Sequence, residues 1–325
     1  MVFIDLMSKL EIDKNKPAIV TGATGYVAGW IIKRLLEEGV TVHAAVRDPS
    51  NLNKIRHLEE LASNLPGKIR YFKADLLDQG SYGEAMADCG YVFHTASPFT
   101  LNIRDPQKEL VEPAQLGTRN VLETANRTGS VKRVVLTSSC AAIYGDNIDL
   151  LDVPGGAFTE ESWNTSSSLT HSPYSYSKAI AEREAWEIAS QQSRWDLVVV
   201  NPSLVLGPGI SPHATSESFN IIRQMGNGRM KAGVPDLGIG AVDVRDLAEA
   251  HMRAAYLPSA NGRHIISGHN TSLLGIATAL LPKFAAYPIP RRNLPKWFVW
   301  LVGPLVDKST TRKLVVRSVG YPCVG

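Results

Sequence analysis

Ala18-Ile19-Val20-Thr21-Gly22-Ala23-Thr24-Gly25-Tyr26-Val27-Ala28-Gly29-Trp30 decides the fold of this 325-residue chain. Residues 18–20 read as a buried strand, and a helical pattern runs over 26–38 until Gly39 ends it. Between them Gly22 permits a tight turn, Gly25 lets backbone approach a pyrophosphate, and the small Ala28 lets helix and strand touch. The helix N-terminus offers unpaired N–H groups and a partial positive charge to phosphates. A glycine-rich turn alone is a weak signal, but between the first strand and first helix of a βαβ unit it predicts a dinucleotide site.

Outward from this turn, 40–46, 69–73, 91–93, 131–136 and 197–200 read as further strands, with helices over 52–61, 81–87, 107–127 and 174–190. Gly117 inside the fourth helix marks a close-packing point or a weak spot. Apolar runs alternating with helices imply an α/β fold, a Rossmann-type doubly wound parallel sheet covered on both faces. After Pro202 the rhythm changes to a loop-rich, smaller, mostly C-terminal substrate-binding region. The expected division is an N-terminal extension over 1–16, a dinucleotide-binding domain over 17–202 and a substrate-binding region over 203–325. The two are interleaved: 242–268, with a helix over 244–257 capped by Asp243 or Asp246 and a strand over 263–267, should return to the first domain.

Composition narrows the class. The chain is 44% hydrophobic and 20% charged with net charge +3, which gives no reason to expect a nucleic-acid or acidic-membrane partner. Cys89, Cys140 and Cys323 are far apart and odd in number, so neither a disulfide framework nor a metal site is expected, and a cytoplasmic location fits. Asp5, Lys9, Glu11 and Asp13 break up any signal-peptide core. The apolar stretch 297–306 is shorter than the roughly 20 residues of a membrane span. It reads as a buried C-terminal helix, the other reading being a membrane-surface helix.

The second strand chooses the cofactor. Where an NAD site places an acid, about 20 residues beyond the turn, stands Ala45-Val46-Arg47-Asp48. Val46 cannot hold a ribose hydroxyl, whereas Arg47 can grip a 2′-phosphate and Lys54 can add a second cation. NADP(H) is therefore expected; the opposing reading puts Asp48 on the ribose. Asp75-Leu76, at the end of the third strand, lies near the adenine in such folds, unless the carboxylate only caps its turn.

Tyr174-Ser175-Tyr176-Ser177-Lys178 opens a helix. Residues four apart share a face, so Tyr174 and Lys178 point together while Tyr176 does not. Thr137-Ser138-Ser139-Cys140 ends the strand before it, where ligands of open α/β sheets bind. Carbonyl reduction needs a hydride on carbon and a proton on oxygen: Tyr174 supplies the proton and a serine of this pair holds the oxygen. A lysine cation about 4 Å from a phenolate stabilises it by roughly 4 kcal/mol at an effective dielectric near 20, so Lys178 favours release of that proton.

With these residues in place the chain resembles the extended short-chain dehydrogenase/reductase superfamily, and within it the dihydroflavonol-4-reductase-like group with its NADPH-dependent aldehyde, ketone and methylglyoxal reductases. The resemblance rests on TGATGYVAGW (21–30), VRDPSN (46–51), FHTASPF (93–99), GTRNVLETA (117–125), VVLTSS (134–139), YSYSK (174–178), NPSLVLGPG (201–209) and VDVRDLAEAH (242–251), from Pro17 to about Tyr321. It implies catalytic Ser139 (Ser138 as fallback), Tyr174 and Lys178, the last also bonding the nicotinamide ribose. It further implies that Gly22, Thr24, Gly25, Tyr26 and Val27 meet the pyrophosphate and that Arg47 and Lys54 meet the 2′-phosphate. Asp75 and Leu76 would line the adenine site, and Thr95, Ala96, Ser97, Pro202, Ser203 and Leu204 the nicotinamide side. Ala28 departs from the group's third glycine, and relatives usually carry a further helix after the position of Gly325. A sugar-nucleotide epimerase or dehydratase holding NAD, or a silent dinucleotide sensor, shares the same motifs. The expected substrate is a small aromatic or aliphatic carbonyl compound, met by loops 97–106, 140–172 and 207–240 with Phe99, Leu101 and Leu169. The expected protein is a monomer or homodimer with neither nucleic-acid nor membrane partner.

Overall fold

In the computed structural model, which describes residues 10–98, 103–211, 216–306 and 310–322, β1 (Ala18–Thr21) is buried at every position. The chain then alternates: α1 (Tyr26–Glu37), β2 (Thr41–Val46), α2 (Leu52–Asn64), β3 (Lys68–Lys73), a short α3 (Gly83–Met86), β4 (Tyr91–His94), α4 (Glu112–Arg127), β5 (Arg133–Thr137), α5 (Pro173–Ser190) and β6 (Asp196–Pro202). The expected single helix over 107–127 opens instead as a π-turn at Gln107–Val111. Pro113, in the first turn of α4, has no amide to close the i→i−4 ladder, and the preceding turn widens.

There follow β7 (Leu204–Leu206), α6 (Glu217–Gly226), β8 (Val234–Pro235), β9 (Gly238–Asp243), α7 (Val244–Tyr256), β10 (Gly262–Ile266), β11 (His269–Ser272), α8 (Leu273–Phe284), β12 (Asn293–Leu294), α9 (Lys296–Val306) and α10 (Arg312–Ser318). Asp243 caps α7, its carboxylate accepting from the Arg245 amide at 2.8 Å. Seven strands form one sheet in the order β10-β6-β5-β4-β1-β2-β3, every pair parallel. The order reverses between β1 and β4, so the crevice above those two strand ends is the ligand position of a doubly wound sheet.

The period-two alternation of the strands sorts side chains into two cores. Ala18, Val20, Val135, Val198 and Val200 pack with Ile31, Ile32 and Leu35 of α1 and with Leu247 and Met252 of α7. Ile19, Val134, Leu136 and Val199 face Val121, Leu122 and Ala125 of α4 and Ala185 and Ile188 of α5. Beyond β6, a three-stranded sheet (β11-β9-β7) and the β12-β8 pair enclose a smaller core of Met225, Val234, Leu273, Ile276, Ala277 and Ile289.

One expectation fails here. The stretch 297–306 does form a helix, α9, but of its residues only Val299 is buried. Val299 meets Val315 and Val319, while Trp297, Trp300, Leu301, Leu305 and Val306 face solvent. Apolar content predicted burial, yet among the described residues α9 meets the body along one narrow face, at Leu294 of β12 and at Val315 and Val319.

Candidate active site

The phosphate turn is held against the end of β4. Gly22 has φ of 63°, and a Cβ there would stand 3.0 Å from Ala96 Cα. Only glycine combines that conformation with that approach. The amides of Thr95 and Ala96 both donate to Thr21 Oγ1 at 3.1 Å, and Thr95 Oγ1 donates to the Thr21 carbonyl at 2.6 Å. Thr21 Oγ1 also lies 2.9 Å from His94 Nδ1. Burial, and next the Lys178 charge, push the His94 pKa down to about 3, so the ring is neutral and accepts the threonine proton at Nδ1.

Gly25 begins α1 with no side-chain cap and no acid in the first turn. The leading amides, flanked by half-buried Thr24 and Val27, therefore stay available to an anion. Ala28 is buried, and its Cβ would be 3.8 Å from a Cβ on Gly25, an ordinary contact. The Tyr26 side chain turns away: its hydroxyl donates to the Gly207 carbonyl at 2.9 Å and its ring lies 4.6 Å from that of Phe219. Burial raises its pKa, which keeps the hydroxyl protonated as the donor to Gly207.

Arg47, just past the end of β2, and Lys54, in the first turn of α2, are exposed and have no ion-pair partner among the described residues. Asp48 is occupied with its own turn, accepting from the Ser50 amide at 3.0 Å and from its hydroxyl at 2.6 Å, bonds that lower its pKa. Two cations therefore face solvent beyond β2, while the Asp48 carboxylate is engaged by its own turn. The Asp75 carboxylate accepts from the Leu77 amide at 2.9 Å, which is the turn-capping role. Leu76 packs on Gly117, where a Cβ would come within 3.0 Å of it, so Gly117 is a close-packing point. Sequence reading missed Asn120, whose amide donates to the carbonyls of Leu76 and Asp78 at 3.1 and 2.9 Å and fixes this loop.

Tyr174 is 49% exposed in the first turn of α5. One turn on, the Lys178 ammonium stands 5.8 Å from the centroid of its ring and donates to Ser97 Oγ at 3.0 Å. A cavity at the strand ends is lined by Leu76, His94, Ala96, Ser97, Ser138 and Lys178 among others. The two serines part company. Ser138 is buried and donates to the Glu182 carboxylate, whereas half-buried Ser139 accepts from the Ala141 amide at 3.1 Å and keeps its own proton to donate. No hydrogen bond joins Ser139 to Tyr174 among the described residues. Ser203 and Cys140 line a second cavity with Ile143, Tyr144, Phe158 and Ile265, next to Ser139 in the chain. Pro202 is buried at the end of β6, and Leu204 begins β7 half-buried. Leu169 is on the surface, and Phe99 and Leu101 lie outside the described residues.

Two buried charge clusters support these groups and were not read from the sequence. Glu182, one turn beyond Lys178 on the same face, accepts from Ser138, from Asn201 Nδ2 at 2.8 Å and from Arg263 Nε. The i+4 spacing after Lys178 was the available signal. Ahead of Tyr174, buried His171 Nε2 meets both oxygens of buried Asp146 at 2.8 and 2.9 Å. Arg317 of α10 binds the same Asp146 through Nε and reaches Asp149 at 2.7 Å. Between His171 and Pro173, Ser172 is held at φ of 51°, a left-handed conformation that costs about 1–3 kcal/mol and persists where its surroundings impose it.

The sequence pattern of the NAD dependent epimerase/dehydratase family matches residues 18–267. A cinnamoyl-CoA reductase of Medicago truncatula is 38% identical over 270 residues, 81% of this chain and 80% of that protein. An anthocyanidin reductase of Arabidopsis thaliana is 36% identical, over 85% of this chain and 82% of that one. Among solved structures, the yeast methylglyoxal/isovaleraldehyde reductase complexed with NADPH superposes with a TM-score of 0.72 at 28% identity, covering 85% of each chain.

Proposed function

Since the chain belongs to the NAD dependent epimerase/dehydratase family and its relatives are extended short-chain reductases, we propose that it is an NADPH-dependent reductase of aldehydes or ketones with Tyr174 as proton donor. The observation that carries this is the Lys178 ammonium, set between the half-exposed Tyr174 and Ser97 at the switch point of the sheet. When bound, NADPH supplies the hydride. The uncapped start of α1 receives the pyrophosphate, and Arg47 with Lys54 receives the 2′-phosphate. Tyr174 passes its phenolic proton to the substrate oxygen, and Lys178 stabilises the phenolate left behind. Ser139, rather than Ser138, donates the hydrogen bond that holds that oxygen, because Ser138 is committed to Glu182. The second cavity gives the substrate apolar walls, including the Tyr144 and Phe158 rings stacked 4.5 Å apart.

The test is oxidation of NADPH, with NADH in parallel, against a panel of aldehydes, ketones and diketones. Tyr174→Phe is expected to lower turnover by at least about a hundredfold while leaving NADPH affinity nearly intact. Loss of both together would make Tyr174 structural. Absence of net NADPH consumption with every carbonyl compound would return the chain to the epimerase or sensor readings.

A further inference from the structure

The apolar residues of α9 are spaced to make a stripe, and the stripe faces water. Trp297, Trp300, Leu301 and Leu305 fall at i, i+3, i+4 and i+8, one face of a helix, and Trp297, Leu301 and Leu305 are 68%, 51% and 85% exposed. Val316 on α10 is also exposed. Contiguous exposed apolar surface of this kind marks an interaction site.

Charge says what covers it. Residues 273–325 hold eight Lys and Arg and a single acid, Asp307, although the whole chain is only +3, so the first 272 residues are net negative. Of these cations Arg291, Arg292, Lys296, Arg312 and Lys313 are exposed. The Arg312 guanidinium stacks 4.5 Å from the Trp300 ring centroid, which sets a cation at the margin of the stripe. Two copies meeting face to face would oppose these positive surfaces, which disfavours self-association. An anionic bilayer meets both features, taking indole and leucine at the acyl–headgroup boundary and the cations at its phosphates.

We propose that the α9–α10 hairpin docks this protein on anionic phospholipid surfaces, α9 lying in the plane of the interface. The helix has 11 residues, about 16 Å, too short to cross a bilayer, and no helix among the described residues is long and apolar enough to do so. Arg317 locks the hairpin to Asp146 and Asp149, so the stripe is presented by the body of the enzyme.

The experiment is flotation of the full chain with vesicles of phosphatidylcholine alone and with phosphatidylserine added. Binding to the serine-containing vesicles only is expected, with a blue shift of tryptophan emission and release by salt. Arg312→Gln and Lys313→Gln should each lower the partition coefficient about fivefold at low salt. Trp297→Ser/Trp300→Ser should abolish partition while carbonyl turnover without vesicles, or NADPH binding should turnover be absent, stays at the wild-type level, which also reports folding. Failure to bind, equal binding to both vesicles, or unimpaired binding by the tryptophan variant would overturn the proposal. So would a concentration-dependent dimer that Trp300→Ser dissolves.

Discussion

Replacing Glu182 by Leu tests the charge cluster behind α5. Glu182 is 1% exposed and is the acceptor for Arg263, Asn201 and Ser138 at once. Leucine leaves a buried guanidinium without its carboxylate, and removing one partner of a buried pair costs about 3–5 kcal/mol. Arg263 retains the Glu160 and Ser162 carbonyls and stands 3.9 Å from the Trp163 ring centroid, which places the cost at the lower end. About 3 kcal/mol at roughly 2 °C per kcal/mol for a chain of this size lowers the melting temperature by about 6 °C. Scanning calorimetry of Glu182→Leu, Arg263→Met and the double variant measures this. The double variant should lose less than the sum of the singles, because no unpaired charge remains. An unchanged melting temperature in Glu182→Leu, or strict additivity in the double variant, would refute the reasoning.

Arg47→Glu should lower kcat/KM for NADPH about ten- to a hundredfold, the worth of charge-assisted bonds, while NADH turnover stays level in the same assay; equal losses with both would end the 2′-phosphate assignment. Arg317→Met, which releases α10 from Asp146, should lower kcat more than it raises KM, with partial rescue by Arg317→Lys; a pure KM effect would separate this cluster from Tyr174. Burial depresses the pKa of His94 to about 3 and of His251 to about 4. Below the unfolded value near 6.5 the unfolded chain binds protons that the native chain does not, so stability is full above that pH and falls as pH drops towards 4. The slope approaches about 1.4 kcal/mol per pH unit for each histidine, and a urea-unfolding free energy flat from pH 7 to pH 5 would contradict it.

Much of this protein was legible in one dimension because the relevant signals are local. A strand covered on both faces must be apolar throughout, as Ala18–Thr21 is, and a turn at positive φ against Ala96 must be glycine, as Gly22 is. Tyr174 and Lys178 share a helix face by spacing alone. What the tertiary structure decided lies between residues far apart in the chain. Lys178 meets Ser97 across 81 positions, Ser138 meets Glu182 across 44, and Arg317 meets Asp146 across 171. The exposure of α9 belongs to the same class. Composition records how apolar a helix is, but whether its face is covered depends on which surfaces the rest of the fold brings to it, and among the described residues Val299 alone of α9 is buried, against Leu294, Val315 and Val319.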